Sequence, residues 1–276
     1  MDKQGIHLHP NHQTVFDQFV SACHADERVT AAFLVGSYVR AKADAHSDLD
    51  LYLITTDEAY DDFIAERPAF IRLLGEPLFL EDFDLPGIVF LIFPDGSEVE
   101  ISFGHESQLS QILNEPYKVL LDKKNLTSSV ISREREVNYE EQTEKLRRLI
   151  YWFWHELSHF ITALERRQLW WAHGQLGALR LYCINLARLQ NNFSDQNVGD
   201  EGYFKIEQGI PIEQLSALKA TYCPMEESAM LEAAEVIVRF FQNIATSLAT
   251  THGITYPESL DKVIFERLER LRNGHR

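Results

Sequence analysis

At 276 residues the chain has room for one large domain or two modest ones, and its apolar content is that of an ordinary globular protein. Acidic residues outnumber basic ones 42 to 26, a formal charge of −16. That argues against a general nucleic-acid binder, which needs clustered Lys and Arg to neutralise phosphates, and favours a neutral or cationic small partner. Three cysteines, Cys23, Cys183 and Cys223, are far apart and show no Cys-x-x-Cys spacing. They read as buried thiols in a reducing cytosol, and as neither a disulfide framework nor a zinc knuckle.

The opening residues lack a positive segment followed by an apolar one, and no apolar stretch reaches spanning length. No signal peptide and no membrane partner are therefore expected, and a cytoplasmic location is. Between Gln13 and Cys23, the residues Val15, Phe16, Phe19, Val20 and Cys23 form one helical stripe, which predicts an opening helix packed on a sheet.

The run Val29 to Val35 has the length and β-branched content of a buried strand, and it stops at Gly36-Ser37. Glycine there lets the backbone approach a ligand, and Ser37 adds a hydroxyl beside backbone N–H groups at a helix start, so the pair predicts an anion cradle. A second strand begins at Asp48. Side chains alternate along a strand, so Asp48, Asp50 and Tyr52 share one face while Leu49, Leu51 and Leu53 go to the core. Two carboxylates at i and i+2 can converge on a hard cation, and Mg²⁺ prefers one or two carboxylates together with phosphate oxygens. Cradle and carboxylates together call for a polyphosphate.

Further on, Asp57 to Glu66 predicts a helix that ends near Pro68. Leu78 to Leu80 and Ile88 to Phe93 predict strands, the second continuous enough for a buried strand. Pro94-Asp95-Gly96-Ser97 is a hairpin turn. Glu98 to Phe103 alternates strictly, with Val99, Ile101 and Phe103 inward and Glu98, Glu100 and Ser102 on the polar face. Ser107 to Leu113 reads as helical, Val119 to Leu121 as one more short strand, and Leu126 to Val137 as a polar boundary region. The predicted domains are 1–135 and 136–276. The second is all-helical from Tyr139 onward: Leu146 to Leu164 recur at helical spacing on a long first helix, and further helices follow near Trp171 to Leu189, Ile212 to Tyr222, Met225 to Leu248 and Ser259 to Leu271, with one long polar connection from Asn191 to Gly209.

The pattern Gly36-Ser37, Arg40, Ser47-Asp48-x-Asp50 resembles the signature of the polymerase β-like nucleotidyltransferases. Asp26-Glu27-Arg28-Val29-Thr30-Ala31, leading into Gly36-Ser37, is similar to what the lincosamide nucleotidyltransferases carry, and the chain looks closest to the antibiotic (lincosamide and aminoglycoside) members. The resemblance covers roughly the first half and is weaker in the helical half. One departure is Ala41, where the family often has glycine.

The resemblance implies an α/β fold, a mixed sheet with flanking helices, followed by a helical domain that selects the acceptor. It implies transfer of a nucleoside monophosphate, AMP from ATP, to a hydroxyl of a small neutral or cationic acceptor such as an aminoglycoside or lincosamide, with release of pyrophosphate. Gly36, Ser37, Arg40 and Ser47 would bind the nucleotide; Asp48 and Asp50 would hold Mg²⁺, two ions in all. A third carboxylate on a neighbouring strand would complete the metal site or take the acceptor's proton. Glu100, mid-strand, is preferred for it over Glu98, which abuts the turn. A nucleotide-binding module of the same superfamily without turnover is the alternative.

A different class is raised by His155-Glu156-Leu157-Ser158-His159, which fits the helical zinc-protease pattern. Eleven histidines make such a match easy to reach by composition. The extended form with a downstream glycine and histidine is missing, and Glu165 lies only six residues past His159 on the same predicted helix. With Leu157 taken as the core direction, Arg148, Trp152, His155, His159, Thr162 and Arg166 fall on the opposite side. Such a face is either solvated or covered by the catalytic domain, an acceptor or a second subunit in a homodimer.

Overall fold

The strand Val29–Leu34 (β1) is buried along its whole length because it lies inside a six-stranded mixed sheet, between Leu49–Thr55 (β2) and Lys118–Asp122 (β6). The order is completed by Phe79–Glu81 (β3), Ile88–Ile92 (β4) and Glu98–His105 (β5), giving β3-β4-β5-β2-β1-β6. All neighbours are antiparallel except β2 and β5, which run parallel. The computed structural model describes residues 7–85, 87–113, 115–129, 138–192 and 202–274, and the chain divides into two compact units, 1–136 and 137–276.

Alternation along the strands sorts the side chains. Leu49, Leu51 and Leu53, with Val99, Ile101 and Phe103, enter one core under Pro10–Ala25 (α1) and Tyr60–Arg72 (α3), where Phe19, Phe63 and Phe70 meet. The opposite face carries Asp50, Tyr52, Glu100 and Ser102. A smaller cluster of Ala31, Phe33, Val35 and Ile54 packs beside them under Leu109–Ile112 (α4).

Two expectations from the sequence are corrected here. Pro68 does not end α3, which runs on to Arg72. A proline inside a helix costs about 3 kcal/mol, but the continuation buries Phe70 and Ile71, each worth about 1.5–3 kcal/mol. Burial outweighs the lost hydrogen bond. The second concerns β4, expected as a buried strand, which is buried on one face only: Val89 and Leu91 are inward, whereas Ile88 and Phe90 are half-buried and Ile92 is exposed.

The second unit is helical: Tyr139–Glu165 (α5), Leu169–Asn191 (α6), Ile206–Gly209 (α7), Ile212–Lys219 (α8), Glu227–Thr251 (α9) and Glu258–Gly274 (α10). The first of these starts at Tyr139, as the helical pattern predicts, and Asn138 caps it, its side-chain oxygen accepting from the Glu141 N–H at 3.1 Å. Its buried stripe Leu146, Ile150, Phe153, Leu157, Phe160, Ile161 and Leu164 is joined by Trp154, and Phe153 stacks on Phe241 of α9 at 3.5 Å. Arg180 is buried too; its Nε donates to Thr221 Oγ1 at 2.8 Å and its guanidinium lies 3.9 Å over the Tyr222 ring. Much of the predicted Leu126 to Val137 and Asn191 to Gly209 connections falls outside the described residues. Among the described residues no helix is long and apolar enough to cross a membrane.

Ala41 sits in the left-handed region, φ 53°, which explains why glycine suits this position. The left-handed conformation costs an L-residue about 1–2 kcal/mol, partly offset by the greater unfolded-state entropy of glycine, about 0.4–1 kcal/mol. Ala41→Gly is therefore expected to raise the stability of unit 1 by about 0.5 kcal/mol, read from the midpoint of chemical denaturation.

Candidate active site

Directly after β1 the chain turns through one helical turn, Gly36–Val39 (α2). The Val35 N–H donates to the Asp50 carbonyl at 3.1 Å, which ties the turn to β2. Gly36 has φ +67°, and a Cβ built on it would lie 1.8 Å from Asp50 Oδ2. Only glycine permits so close an approach of backbone to carboxylate. Ser37 Oγ is buried and has no hydrogen-bond partner among the described residues, an unusual state for a hydroxyl and one that a bound phosphate oxygen would relieve.

The parallel register sets Asp50 beside Glu100 and Tyr52 beside Ser102. Asp48 stands just ahead of β2, exposed, at the end of a loop in which Ser47 Oγ accepts from the Asp44 N–H at 2.9 Å. Burial and neighbouring like charges both raise the Asp50 and Glu100 carboxyls. Burial first, then the negative charges of Asp48, Glu100 and Glu115, push the Asp50 carboxyl up to about 7, eased in part by Arg40. Glu100 is raised as well, by burial and then by Asp48 and Glu115. Glu98 lies on the same face nearer the turn, exposed, paired in register with Ile92 of β4.

These donors fit a divalent cation: hard carboxylate oxygens whose mutual repulsion a cation removes, next to a turn with an unfilled hydroxyl. Arg40 is not aimed at that turn. Its guanidinium pairs with Glu115 at 2.7 Å, and the Tyr52 hydroxyl donates to the other Glu115 oxygen at 3.2 Å.

Glu115 was not singled out by its sequence context, because it sits in a short Asn-Glu-Pro link with no periodicity. The same holds for His12 of α1, whose Nδ1 lies 2.6 Å from the Tyr38 hydroxyl and so braces the turn from behind. No local signal marks contacts between residues 75 and 26 positions apart.

A cavity of about 260 Å³ opens beside the carboxylates. Phe79, Phe83 and Phe90 form its aromatic wall, and Asp48, Glu98 and Glu100 its acidic one.

Among curated proteins no sequence matches the chain. Among solved structures it is similar to an aminoglycoside 6-adenyltransferase from Bacillus subtilis, at 16% identity over 95% of this chain and 98% of that one, with a TM-score of 0.40. The family model described as streptomycin adenylyltransferase matches residues 10–271, nearly the whole length, and the chain belongs to that family.

Proposed function

We propose that the chain transfers AMP from ATP to a hydroxyl of a small cationic acceptor, of the aminoglycoside or lincosamide antibiotic class, and releases pyrophosphate. The observation that carries this reading is the contact of two halves of one site: the Gly36-Ser37 turn, with its unpartnered hydroxyl, lies against Asp50, which stands in register with Glu100.

In this scheme the Gly36 and Ser37 backbone and the Ser37 hydroxyl bind the β- and γ-phosphates. Arg40 reaches them on release from Glu115, and Ser47 fixes the loop that presents Asp48. Asp48, Asp50 and Glu100 would hold Mg²⁺. Bound there, Mg²⁺ supplies charge neutralisation for an in-line displacement at the α-phosphorus. Glu100, in register beside Asp50 on the same face, takes the proton from the acceptor hydroxyl. The acidic and aromatic walls of the cavity suit an ammonium-bearing acceptor through charge and cation–π contact.

The direct test is pyrophosphate release with Mg²⁺-ATP and a panel of aminoglycosides and lincosamides, with the mass of the acceptor measured afterwards. AMP added to one acceptor class is the expected result. Nucleotide bound with no release on any acceptor identifies a binding module without turnover.

Four substitutions follow from the geometry. For Asp50 the sign is set by the raised pKa: the folded state keeps its proton between the ordinary 3.8 and about 7, so the cost of ionising it grows as pH rises through that window and is complete above it. Asp50→Asn should therefore abolish turnover yet stabilise the metal-free protein at pH 8 by about 1–2 kcal/mol, discounted for solvent screening. Added Mg²⁺ should raise the unfolding temperature of the wild type and leave that of the variant unchanged.

Ser37→Ala removes a hydrogen bond to a charged group, worth about 1.5–3 kcal/mol. The ATP Kd should rise roughly tenfold or more with acceptor binding unchanged, as read by calorimetry on each ligand separately.

Glu100→Gln should lower kcat by about 10²–10⁴ with little change in nucleotide Kd, whereas Glu98→Gln should be mild. Steady-state kinetics with Glu98→Gln dead and Glu100→Gln active would move the assignment two residues along β5.

A further inference from the structure

The geometry points to a second metal site in this protein, on α5 of the helical unit: a transition-metal site of the Zn²⁺ class held by His155, Glu156 and His159. One ligand atom from each residue lies within 4.8 Å of the other two, the only such group of three among the described residues. The imidazoles stand one helical turn apart with ring centroids at 4.2 Å. The Glu156 carboxylate is drawn up against both, 3.3 Å from His155 Nδ1 and 3.7 Å from His159 Nδ1. Two neutral imidazoles and a carboxylate carry a net charge of −1. That N₂O set prefers Zn²⁺, Ni²⁺ or Co²⁺ over Mg²⁺, so the site would be chemically distinct from the all-carboxylate group on the sheet.

Two further features build the site. The carboxylate is held from the next helix: with the Gln175 amide turned to satisfy its neighbours, its nitrogen donates to Glu156 Oε2 at 2.8 Å and its oxygen accepts from Trp171 Nε1 at 3.0 Å. Such outer contacts orient metal ligands and keep their affinity. The helix is also fixed before any ion arrives, because Phe153, Leu157 and Phe160 are fully buried on its other side, so little ordering entropy remains to be lost on binding. Both histidines are exposed enough for water to complete the coordination.

The same geometry takes the motif away from proteolysis. In the hydrolytic arrangement the glutamate is a base held off the metal, whereas Glu156 occupies the place of a third ligand. Glu165, the other carboxylate within reach in sequence, is committed to Arg267 of α10, which also donates to Ser158 at 3.2 Å and Thr162 at 3.1 Å. The ion would be structural or regulatory, and it lies outside the residues assigned to nucleotidyl transfer.

The test is Zn²⁺ calorimetry on the full chain in excess Mg²⁺, together with Ni²⁺ quenching of tryptophan fluorescence. Trp152 lies 4.8 Å from the His155 ring and Trp171 5.9 Å from that of His159, so an ion bound here is reported directly. The wild type should bind one more equivalent of Zn²⁺ than the His155→Ala/His159→Ala variant and should show saturable quenching that this variant lacks. Glu156→Gln, which keeps both imidazoles and the helix, should weaken that equivalent at least tenfold. Equal stoichiometry and affinity in the wild type and the double variant overturn the site, and full affinity in Glu156→Gln overturns the three-ligand assignment.

Discussion

The parallel pairing of β2 with β5 is the constraint on which the first unit depends. It places Asp50 and Glu100 side by side in the middle of a sheet whose reverse face is a closed apolar core. Sliding one strand by a single residue would turn Leu49, Leu51 and Leu53 out of that core, so the register that buries the leucines also fixes the carboxylates. Burial of the apolar side thus holds together like charges that would otherwise separate. Burial first, and then those neighbouring charges, push the Asp50 carboxyl up to about 7, the kind of shift that clusters at functional sites.

Several neighbours of the carboxylates keep them crowded. The Gly36 turn comes close enough to exclude a Cβ, His12 supports it through Tyr38, and Glu115 draws Arg40 aside while adding one more negative charge. Beyond them, the acidic and aromatic cavity at the β3–β5 end agrees with the overall charge of −16. Under the proposed function, a cationic acceptor would be attracted by the net charge and met by Glu98, Glu100 and the phenylalanine rings.

The helical unit follows a different logic. Its core is aromatic and tightly stacked around Phe153, Trp154 and Phe241. Its last helix is fastened by polar contacts, Arg272 to Glu235 at 2.8 Å and Gln242 to Asp261 at 2.8 Å. On α5, His155, His159, Glu156 and Trp152 are concentrated rather than scattered, and Gln175 and Trp171 of the neighbouring helix hold the carboxylate.

What could be read from the chain alone were the features that local periodicity encodes. Alternation from Leu49 to Leu53 and from Val99 to Phe103, helical spacing along α5, and the Gly-Ser and Asp-x-Asp pairs at strand ends all follow from the geometry of one strand or one helix. So did the α/β sheet followed by a helical half. Tertiary structure alone decided the matters that need two distant segments. These are the β2–β5 register, the commitment of Arg40 to Glu115, the bracing of Tyr38 by His12, and the passage of α3 through Pro68 to bury Phe70 and Ile71. The physical reason is the same in each case: a pattern within one element reports which face is apolar, but the partner that covers that face, or neutralises a charge on it, is supplied by chain folding back from tens of residues away.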